Sequence, residues 1–347
     1  MKRHHGILML ALTMLAVAAL LAWSFHKVRF SEVLQAFREA RWGWFWLAML
    51  TGLMVFPVKA LRWRIILEPV QRLPMRPLLS AIMIGFMANC IISRLGEIAR
   101  GVALSLKTPV RTSVALSSIA LERVFDMCVV LLFLVVALLL LPPSASGEGA
   151  ETLATLRVVG ATLAGAFCVM VAFLIFLRFR PATAQRIVTA CVSWLPQSIQ
   201  HHVASFLKSF IEGLNTLRDA RQVAVLLVLS VAHWLIQVLY FLFIGYCFPA
   251  LELGPSGALL VFAVVALGVA AAPTPGYIGI FQGGVAAAAA ILGHDPRSAA
   301  VTSYQWLAWA GNIPAIVLIG FVVLWAEGLS LRQLRGEASR AEVRKAD

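Results

Sequence analysis

Three ionisable side chains lie close together inside an otherwise apolar segment, residues 112–141. Glu122 and Asp126 are four residues apart and share one face of a helix, while Arg123 and Asp126 are three apart and can pair. Charged groups at membrane depth are costly and usually face a cavity or one another. One arginine cannot neutralise two carboxylates, so a further cation is implied. The group can bind a headgroup, carry protons or pin neighbouring helices together.

Candidate binding residues also come from a second charged segment earlier in the chain, which contains Arg94, Gly96, Glu97 and Arg100. If the chain reverses direction near residues 89–93, a helix begins at depth and its unpaired N–H groups point into the membrane. Such a helix start with Arg94 beside it is an anion site. Glu97 and Arg100 are three residues apart and can pair. Alternatively, both arginines extend to the cytoplasmic surface.

A segment rich in proline and glycine predicts a helix break followed by a new helix. Pro275 has no N–H to lose at a first helical position. Gly279 and Gly283 are four apart and would let another helix or a lipid approach the backbone. The alternative is a kinked packing helix. The candidate binding residues here are Pro273, Thr274, Pro275, Gly276, Gly279, Gln282 and Gly283.

Other polar residues lie at the end of one apolar segment or within others, and they indicate a function less specifically. Lys59, Arg62 and Arg64 lie around Trp63 near the end of an apolar segment, which is typical of anchors at a membrane interface. They can equally contact lipid phosphates. His233, Gln237 and Asn312 are polar positions within apolar segments, and the sequence assigns them no role.

Composition excludes a soluble globular domain. Of the 347 residues 61% are hydrophobic and 13% are charged, whereas soluble domains have about 45–50% and about 25%. Several apolar runs are long enough to cross about 30 Å of hydrocarbon as helices. We therefore predict an all-α polytopic membrane protein with about six full spans. The spans are residues 7–25, 42–66, 112–141, 153–177, 222–248 and 298–326.

Two further apolar regions, residues 78–107 and 256–293, are interrupted near their middle. Each is either two short spans or one re-entrant hairpin. The first is flanked by basic residues and the second by loops nearly free of them, which favours hairpins entering from opposite faces under the positive-inside rule. The same rule places both termini in the cytoplasm.

The order of segments suggests an inverted repeat within a single membrane domain, residues 1–347. Residues 42–141 read as span, hairpin and span, and residues 222–326 repeat that order with the opposite orientation. A basic amphipathic linker, 178–221, joins them, and a short basic tail, 327–347, follows. Inverted repeats with broken helices are typical of transporters whose site lies near the bilayer midplane.

The sequence predicts no disulfide and no metal site, because its five cysteines are scattered without a close pair, and we expect no cofactor. The net charge of +13 follows the predicted topology, so we expect no nucleic-acid partner. We find no nucleotide-binding motif and expect the protein not to be an enzyme.

Four motifs, in order, resemble the flippase-like membrane-domain family, the lysylphosphatidylglycerol synthase transmembrane region, also called uncharacterised protein family 0104. They are Ala60-Leu61-Arg62-Trp63, Ser93-Arg94-Leu95-Gly96-Glu97 with Arg100, Glu122-Arg123-Val124-Phe125-Asp126, and Pro273-Thr274-Pro275-Gly276 with Gly279, Phe281 and Gly283-Gly284. The resemblance implies a bacterial or archaeal inner-membrane lipid translocase, or an accessory of lipid synthesis. Membrane lipids with an anionic headgroup, and lipid-biosynthesis enzymes, are the implied partners.

One departure from the family pattern bears on the substrate. Two-part relatives carry a soluble lysyl-lipid synthase after the membrane region, but here only the short tail follows the last span, so we expect no synthase domain and not a lysylated lipid. Hopanoids, cardiolipin and polyprenyl-linked sugars are alternatives that the resemblance offers. A membrane-embedded glycosyl- or lipid-transferase and a scaffold for lipid-synthesis enzymes remain the alternative functions.

Overall fold

The computed structural model describes residues 30–91, 95–140, 180–194, 220–271 and 274–329, with isolated positions from 158 to 200 and residue 333. All regular structure within these residues is helical, which confirms the all-α polytopic fold. The α-helices are α1 (Phe30–Arg38), α2 (Trp42–Leu67), α3 (Met75–Ile91), α4 (Leu95–Lys107), α5 (Thr112–Leu139), α6 (Pro181–Cys191), α7 (Ala220–Tyr246), α8 (Pro255–Ala271), α9 (Ile280–Ile291) and α10 (Ala299–Ala326). Two 3-10 turns, Pro249–Leu251 and Pro275–Tyr277, lie between them.

The long helices coincide with the predicted spans. By length and hydropathy, α2, α7 and α10 can each cross a membrane. Helix α5 has 28 residues and is equally long, but it carries the charged group around Glu122. Of the other two predicted spans, 7–25 lies outside the described residues and 153–177 is described only at isolated positions.

Both interrupted regions form pairs of short helices that pack against each other, α3 with α4 and α8 with α9. The second arms, α4 and α9, have 13 and 12 residues. At about 1.5 Å per residue they are about 20 and 18 Å long, too short to cross about 30 Å of hydrocarbon. Neither pair can therefore consist of two full spans.

The two pairs enter from opposite ends of the molecule and meet inside it. Ser80 of α3 and Lys107 of α4 both contact Glu327 at the end of α10. The start of α8 and the end of α9 lie beside each other at the opposite end, where a Cβ on Gly257 would lie 3.3 Å from the Leu292 side chain. At the breaks, Asn89 Nδ2 donates a 2.7 Å hydrogen bond to the Tyr277 hydroxyl. This contact is incompatible with both pairs reaching the far surface, so they form re-entrant hairpins.

The second break is an ordered turn rather than a simple kink. Gly276 and Gly279 have φ angles of +61° and +83°, a region that favours glycine. The Thr274 hydroxyl donates to the Ile278 carbonyl over 2.8 Å. The Gly279 N–H donates over 2.8 Å to Gln282 Oε1, which satisfies the start of α9. Pro275 opens the 3-10 turn and not the α-helix, which corrects its predicted place at the first position of the new helix.

Packing between the two halves is reciprocal. Helices α2 and α7, the first span of each half, pack along each other. The first hairpin arm of each half packs on the last span of the other half, α3 on α10 and α8 on α5. An inverted repeat would give this exchange of contacts, and the exchange places the interface between the halves around both hairpin tips.

Candidate functional site

Seven ionisable side chains from three helices of the first half gather near the middle of the bundle. Helix α2 contributes two cations, α4 one residue of each sign, and α5 three residues. They are Lys59, Arg62, Glu97, Arg100, Glu122, Arg123 and Asp126, and we call them the charged cluster. It confirms that the carboxylates of α5 need cationic partners from other helices.

Glu122 is the centre of this cluster and contacts three cations. The Arg100 guanidinium donates two hydrogen bonds to the Glu122 carboxylate, 3.1 and 2.8 Å long. Lys59 Nζ and Arg62 Nη2 both approach Glu122 Oε1, the latter at 2.9 Å. Arg100 also lies over the Trp63 ring, its Cζ 3.8 Å from the ring centroid. All of these ionisable side chains are at most 4% exposed, so Glu122 holds a sealed network.

Asp126 connects this sealed network to the second half of the molecule. Arg62 Nη1 lies 2.6 Å from Asp126 Oδ1. The same oxygen accepts a 3.0 Å hydrogen bond from Trp234 Nε1 on α7. Arg123 Nη1 lies 3.6 Å from Asp126 Oδ2, which places the predicted (i, i+3) pair in contact. Asp126 therefore joins α2, α5 and α7.

Arg123 and Glu97 are the exposed members of the charged cluster. The Arg123 Nε–H donates to Glu97 Oε1 over 2.6 Å, and their side chains are 42% and 45% exposed. Four cations face three carboxylates, so the cluster carries one excess positive charge. The exposed guanidinium is thus available to an anion.

A cavity of about 590 Å³ lies between the two halves, and the long helices α2, α5, α7 and α10 and both hairpins contribute to its wall. One side is the charged cluster, represented by Lys59, Glu97, Arg123 and Asp126. The remainder is mainly apolar and aromatic. Its aromatic residues are Phe56, Phe86, Trp234, Phe241, Phe262, Tyr277 and Phe281. Ligand pockets are typically apolar with a few convergent polar groups and have about 300–1,000 Å³.

Three neutral polar side chains, His233, Gln237 and Asn312, also line the cavity from the second half. His233 is 2% exposed and its Nδ1 has no hydrogen-bond partner among the described residues, whereas Gln237 and Asn312 are partly exposed. The sequence did not predict that these three side chains line a cavity. Since His233 and Gln237 are four residues apart on α7, their shared helix face was the available signal.

The structure brings together most of the residues predicted from the first half. Glu97, Arg100, Glu122 and Asp126 all join the charged cluster, but Glu97 pairs with Arg123 and not with Arg100. Arg100 is sealed against Glu122 and does not line the cavity, so its predicted contact with a headgroup is not supported. Arg94 lies outside the described residues.

The prediction that Arg62 is an interfacial anchor is wrong. Its side chain is 1% exposed and contacts Glu122 and Asp126. Position along α2 gives the depth of a residue but not the side of the helix that it occupies. Arg64, two residues later, points away and is exposed. Lys59, which the sequence also suggested as an anchor, lies on the Arg62 face and enters the cluster.

Residues predicted around the second break shape it rather than line the cavity. Thr274, Pro275, Gly276, Gly279 and Gln282 build the turn, whereas Tyr277 reaches the cavity. Pro273 lies outside the described residues. Gly283 faces open space, so the close helix approach expected there is wrong; it occurs at Gly284, where a Cβ would lie 3.0 Å from the Val265 Cα.

Gly96, predicted as a binding residue, is instead a packing residue. A Cβ there would collide with the Gly85 carbonyl oxygen and with Asn89. The described residues contain no group of His, Cys, Asp and Glu side chains arranged to hold a metal ion. The polar chemistry of the site therefore rests on the charged cluster and the three neutral side chains.

The fold and the cavity define a class, namely polytopic helical membrane proteins with a charged cavity between two broken-helix halves. The family model described as the lysylphosphatidylglycerol synthase TM region matches residues 7–308. The chain belongs to this family. Comparison with curated proteins found no match.

Proposed function

We propose that the protein is a lipid translocase that moves a lipid with an anionic headgroup across the inner membrane, with both termini in the cytoplasm. The observation that carries this proposal is the cavity at the interface of the two halves. Its charged wall exposes Arg123, and the charged cluster to which this wall belongs has one positive charge in excess. In this proposal the protein is a carrier and not an enzyme, and its partner is membrane lipid.

Arg123 is the group that meets the headgroup phosphate. Its Nε is held by Glu97, which fixes the orientation of the guanidinium plane. The planar fork of arginine matches phosphate oxygens in a bidentate manner. Lys59, which also lines the cavity, adds positive potential behind it. Lys59, Arg62 and Arg100 face only Glu122 and Asp126, so the cluster keeps one excess positive charge and the site attracts one anionic group rather than many.

The two hairpins provide a way for a headgroup to reach the cavity from each leaflet. They enter from opposite ends and touch at Asn89 and Tyr277. Movement of one hairpin relative to the other half would open the cavity toward one side at a time, as expected for inverted-repeat transporters. The aromatic part of the wall covers the apolar atoms next to the headgroup while the tails stay in lipid.

The proposal is tested by measuring transbilayer movement of labelled anionic, zwitterionic and lysylated lipids in proteoliposomes that contain the purified protein. We expect faster movement of anionic lipids than in protein-free vesicles. Folded protein that moves no lipid, but forms product from a lipid-linked sugar, would establish the transferase alternative. Folded protein that does neither, but retains lipid-synthesis enzymes on the membrane, would establish the scaffold alternative.

A further inference from the structure

The neutral polar groups that the second half contributes to the cavity point to a particular headgroup chemistry. His233, Gln237 and Asn312 line the cavity, and the buried His233 Nδ1 has no hydrogen-bond partner among the described residues. Buried polar groups in proteins are almost always hydrogen-bonded, and leaving one unpaired away from water is costly. One buried, unpartnered imidazole nitrogen, together with two partly exposed amides on the same cavity wall, therefore indicates a hydrogen-bonding ligand.

These three side chains are neutral, and that decides what they can bind. The two amides each donate and accept, and a neutral imidazole has one donor and one acceptor nitrogen. Hydroxyl groups also donate and accept, so they match this set. An ammonium group only donates, and the excess positive charge of the cluster opposes it.

The charged cluster and the neutral set lie on different parts of the cavity wall. Arg123 belongs to α5 in the first half, while His233 and Gln237 belong to α7 and Asn312 to α10 in the second. The two parts are neighbours in space, because Trp234, which follows His233 in the chain, donates a hydrogen bond to Asp126 of the charged cluster. A ligand that contacts both sets needs a phosphate at one end and hydroxyls at the other.

Resting on the proposed function, we propose that the cavity selects a lipid whose phosphate carries a polyol or a sugar. Arg123 holds the phosphate with Lys59 adding positive potential behind it, and His233, Gln237 and Asn312 bind the hydroxyls. A lysylated headgroup is disfavoured because it would bring ammonium groups next to a charged cluster that already has one positive charge in excess.

The test compares the affinities of purified full-length protein for dioctanoyl phosphatidylglycerol and dioctanoyl phosphatidic acid, which share the phosphate but differ in the glycerol headgroup. We expect phosphatidylglycerol to bind more tightly. Gln237→Leu and Asn312→Leu should each weaken phosphatidylglycerol binding about three- to tenfold, the effect of one hydrogen bond, with phosphatidic acid unchanged. Dioctanoyl lysylphosphatidylglycerol should bind more weakly than phosphatidylglycerol.

Gln222→Leu is the matched control, because Gln222 lies on the same helix outside the cavity and donates to the Ile65 carbonyl. Gln237→His keeps a hydrogen-bond donor and an acceptor, so it should retain the preference for phosphatidylglycerol. This variant separates the loss of a hydrogen bond from a folding defect. Equal affinities for the two probes, or an equal loss for both in variants with wild-type melting temperatures, would overturn the inference. So would tighter binding of the lysylated probe. If lipids move but show no preference for a polyol, this inference fails while the translocase proposal stands.

Discussion

At the scale of single residues, Glu122 shows how a buried charge can be essential without touching a ligand. It contacts Lys59, Arg62 and Arg100 and does not line the cavity. Removing one partner of a buried ion pair leaves an uncompensated charge, which costs about 3–5 kcal/mol. Glu122 is therefore a structural centre, and Arg123 is the residue that meets the headgroup.

We expect Glu122→Gln to lower the free energy of unfolding by about 3–5 kcal/mol, because three buried cations lose their shared carboxylate. Thermal unfolding in detergent measures this. Glu97→Gln is the control, since that carboxylate is 45% exposed and such pairs contribute about 1 kcal/mol or less. Equal melting temperatures for Glu122→Gln and wild type would show that Glu122 is not the structural centre of the charged cluster.

Sequence reasoning identified the carboxylates of α5 but not all of their partners. The spacing of Glu122 and Asp126 predicts a shared face, and their excess of negative charge predicts a missing cation. Which cation fills that role depends on the rotation of α2 about its axis, and hydropathy does not fix rotation when the helix is apolar on all sides. The sequence therefore predicts surface positions for Lys59 and Arg62, although both side chains are buried against Glu122.

At the scale of helices, the first hairpin depends on two glycines that face each other. A Cβ on Gly85 would lie 2.7 Å from the Arg100 Cβ and 2.8 Å from the Gly96 carbonyl oxygen. The small residues let α3 and α4 approach closely. This close packing sets the position of Arg100 relative to Glu122, so hairpin geometry and the charged cluster are coupled.

We expect Gly85→Ala to destabilise the protein by about 1–3 kcal/mol, because the added methyl overpacks the contact between α3 and α4. The measurement is the melting temperature in detergent. Gly283→Ala is the matched control; a Cβ there meets nothing within 4 Å, so its effect should be small. Equal effects of the two substitutions would contradict the packing role of Gly85.

The helices were more predictable than the details of their ends. Interruptions near Asn89 and at Pro275 marked both breaks, since proline, glycine and polar residues are costly inside an apolar helix. The turn at Pro275 was misplaced because its geometry depends on positive φ angles at Gly276 and Gly279, together with the Gln282 cap. Such a combination is not visible in residue types alone.

At the scale of the whole molecule, a polar contact fastens the base of the first hairpin to the last span of the second half. The Ser80 hydroxyl donates to Glu327 Oε1 over 2.7 Å, and Lys107 Nζ donates to the Glu327 carbonyl oxygen over 2.7 Å. The Ser80 hydrogen bond is the main cause that lowers the pKa of Glu327 below its ordinary value of 4.5, with Lys107 adding to it. Glu327 therefore contributes stability only while it is ionised.

This contribution is fully present above the ordinary pKa and is lost as the pH falls through the lowered folded-state value. We expect acidification below about 4.5 to reduce the melting temperature, and Glu327→Gln to remove part of that dependence. Glu68→Gln is the control, because Glu68 is half-exposed and contacts only Arg72 on its own side of the molecule. If the melting temperature of Glu327→Gln depends on pH as that of the wild type does, the contribution of ionised Glu327 to stability would be contradicted.

The proposed orientation makes a prediction for a native thiol. Cys191, at the end of α6, is exposed, whereas Cys90, Cys128 and Cys247 are buried. Because the linker that contains it is basic, it should face the cytoplasm. In a Cys168→Ser background, we expect a membrane-impermeant maleimide to label Cys191 only after permeabilisation, and Cys191→Ser to abolish labelling. Labelling of Cys191 in intact cells would show that the linker faces outward, which is opposite to the proposed orientation.

The most direct test of lipid translocation through the cavity is the movement of labelled phosphatidylglycerol in proteoliposomes containing the Glu97→Gln/Arg123→Gln variant. This double change leaves three cations facing two carboxylates, so the net charge of the cluster is kept while the exposed guanidinium is lost. Arg64→Gln, on the exposed side of α2, is the control. We expect the double variant to lose about tenfold or more of the rate, the effect of a charge-assisted hydrogen bond, and Arg64→Gln to retain it. Wild-type rates in the folded double variant would contradict translocation through this cavity.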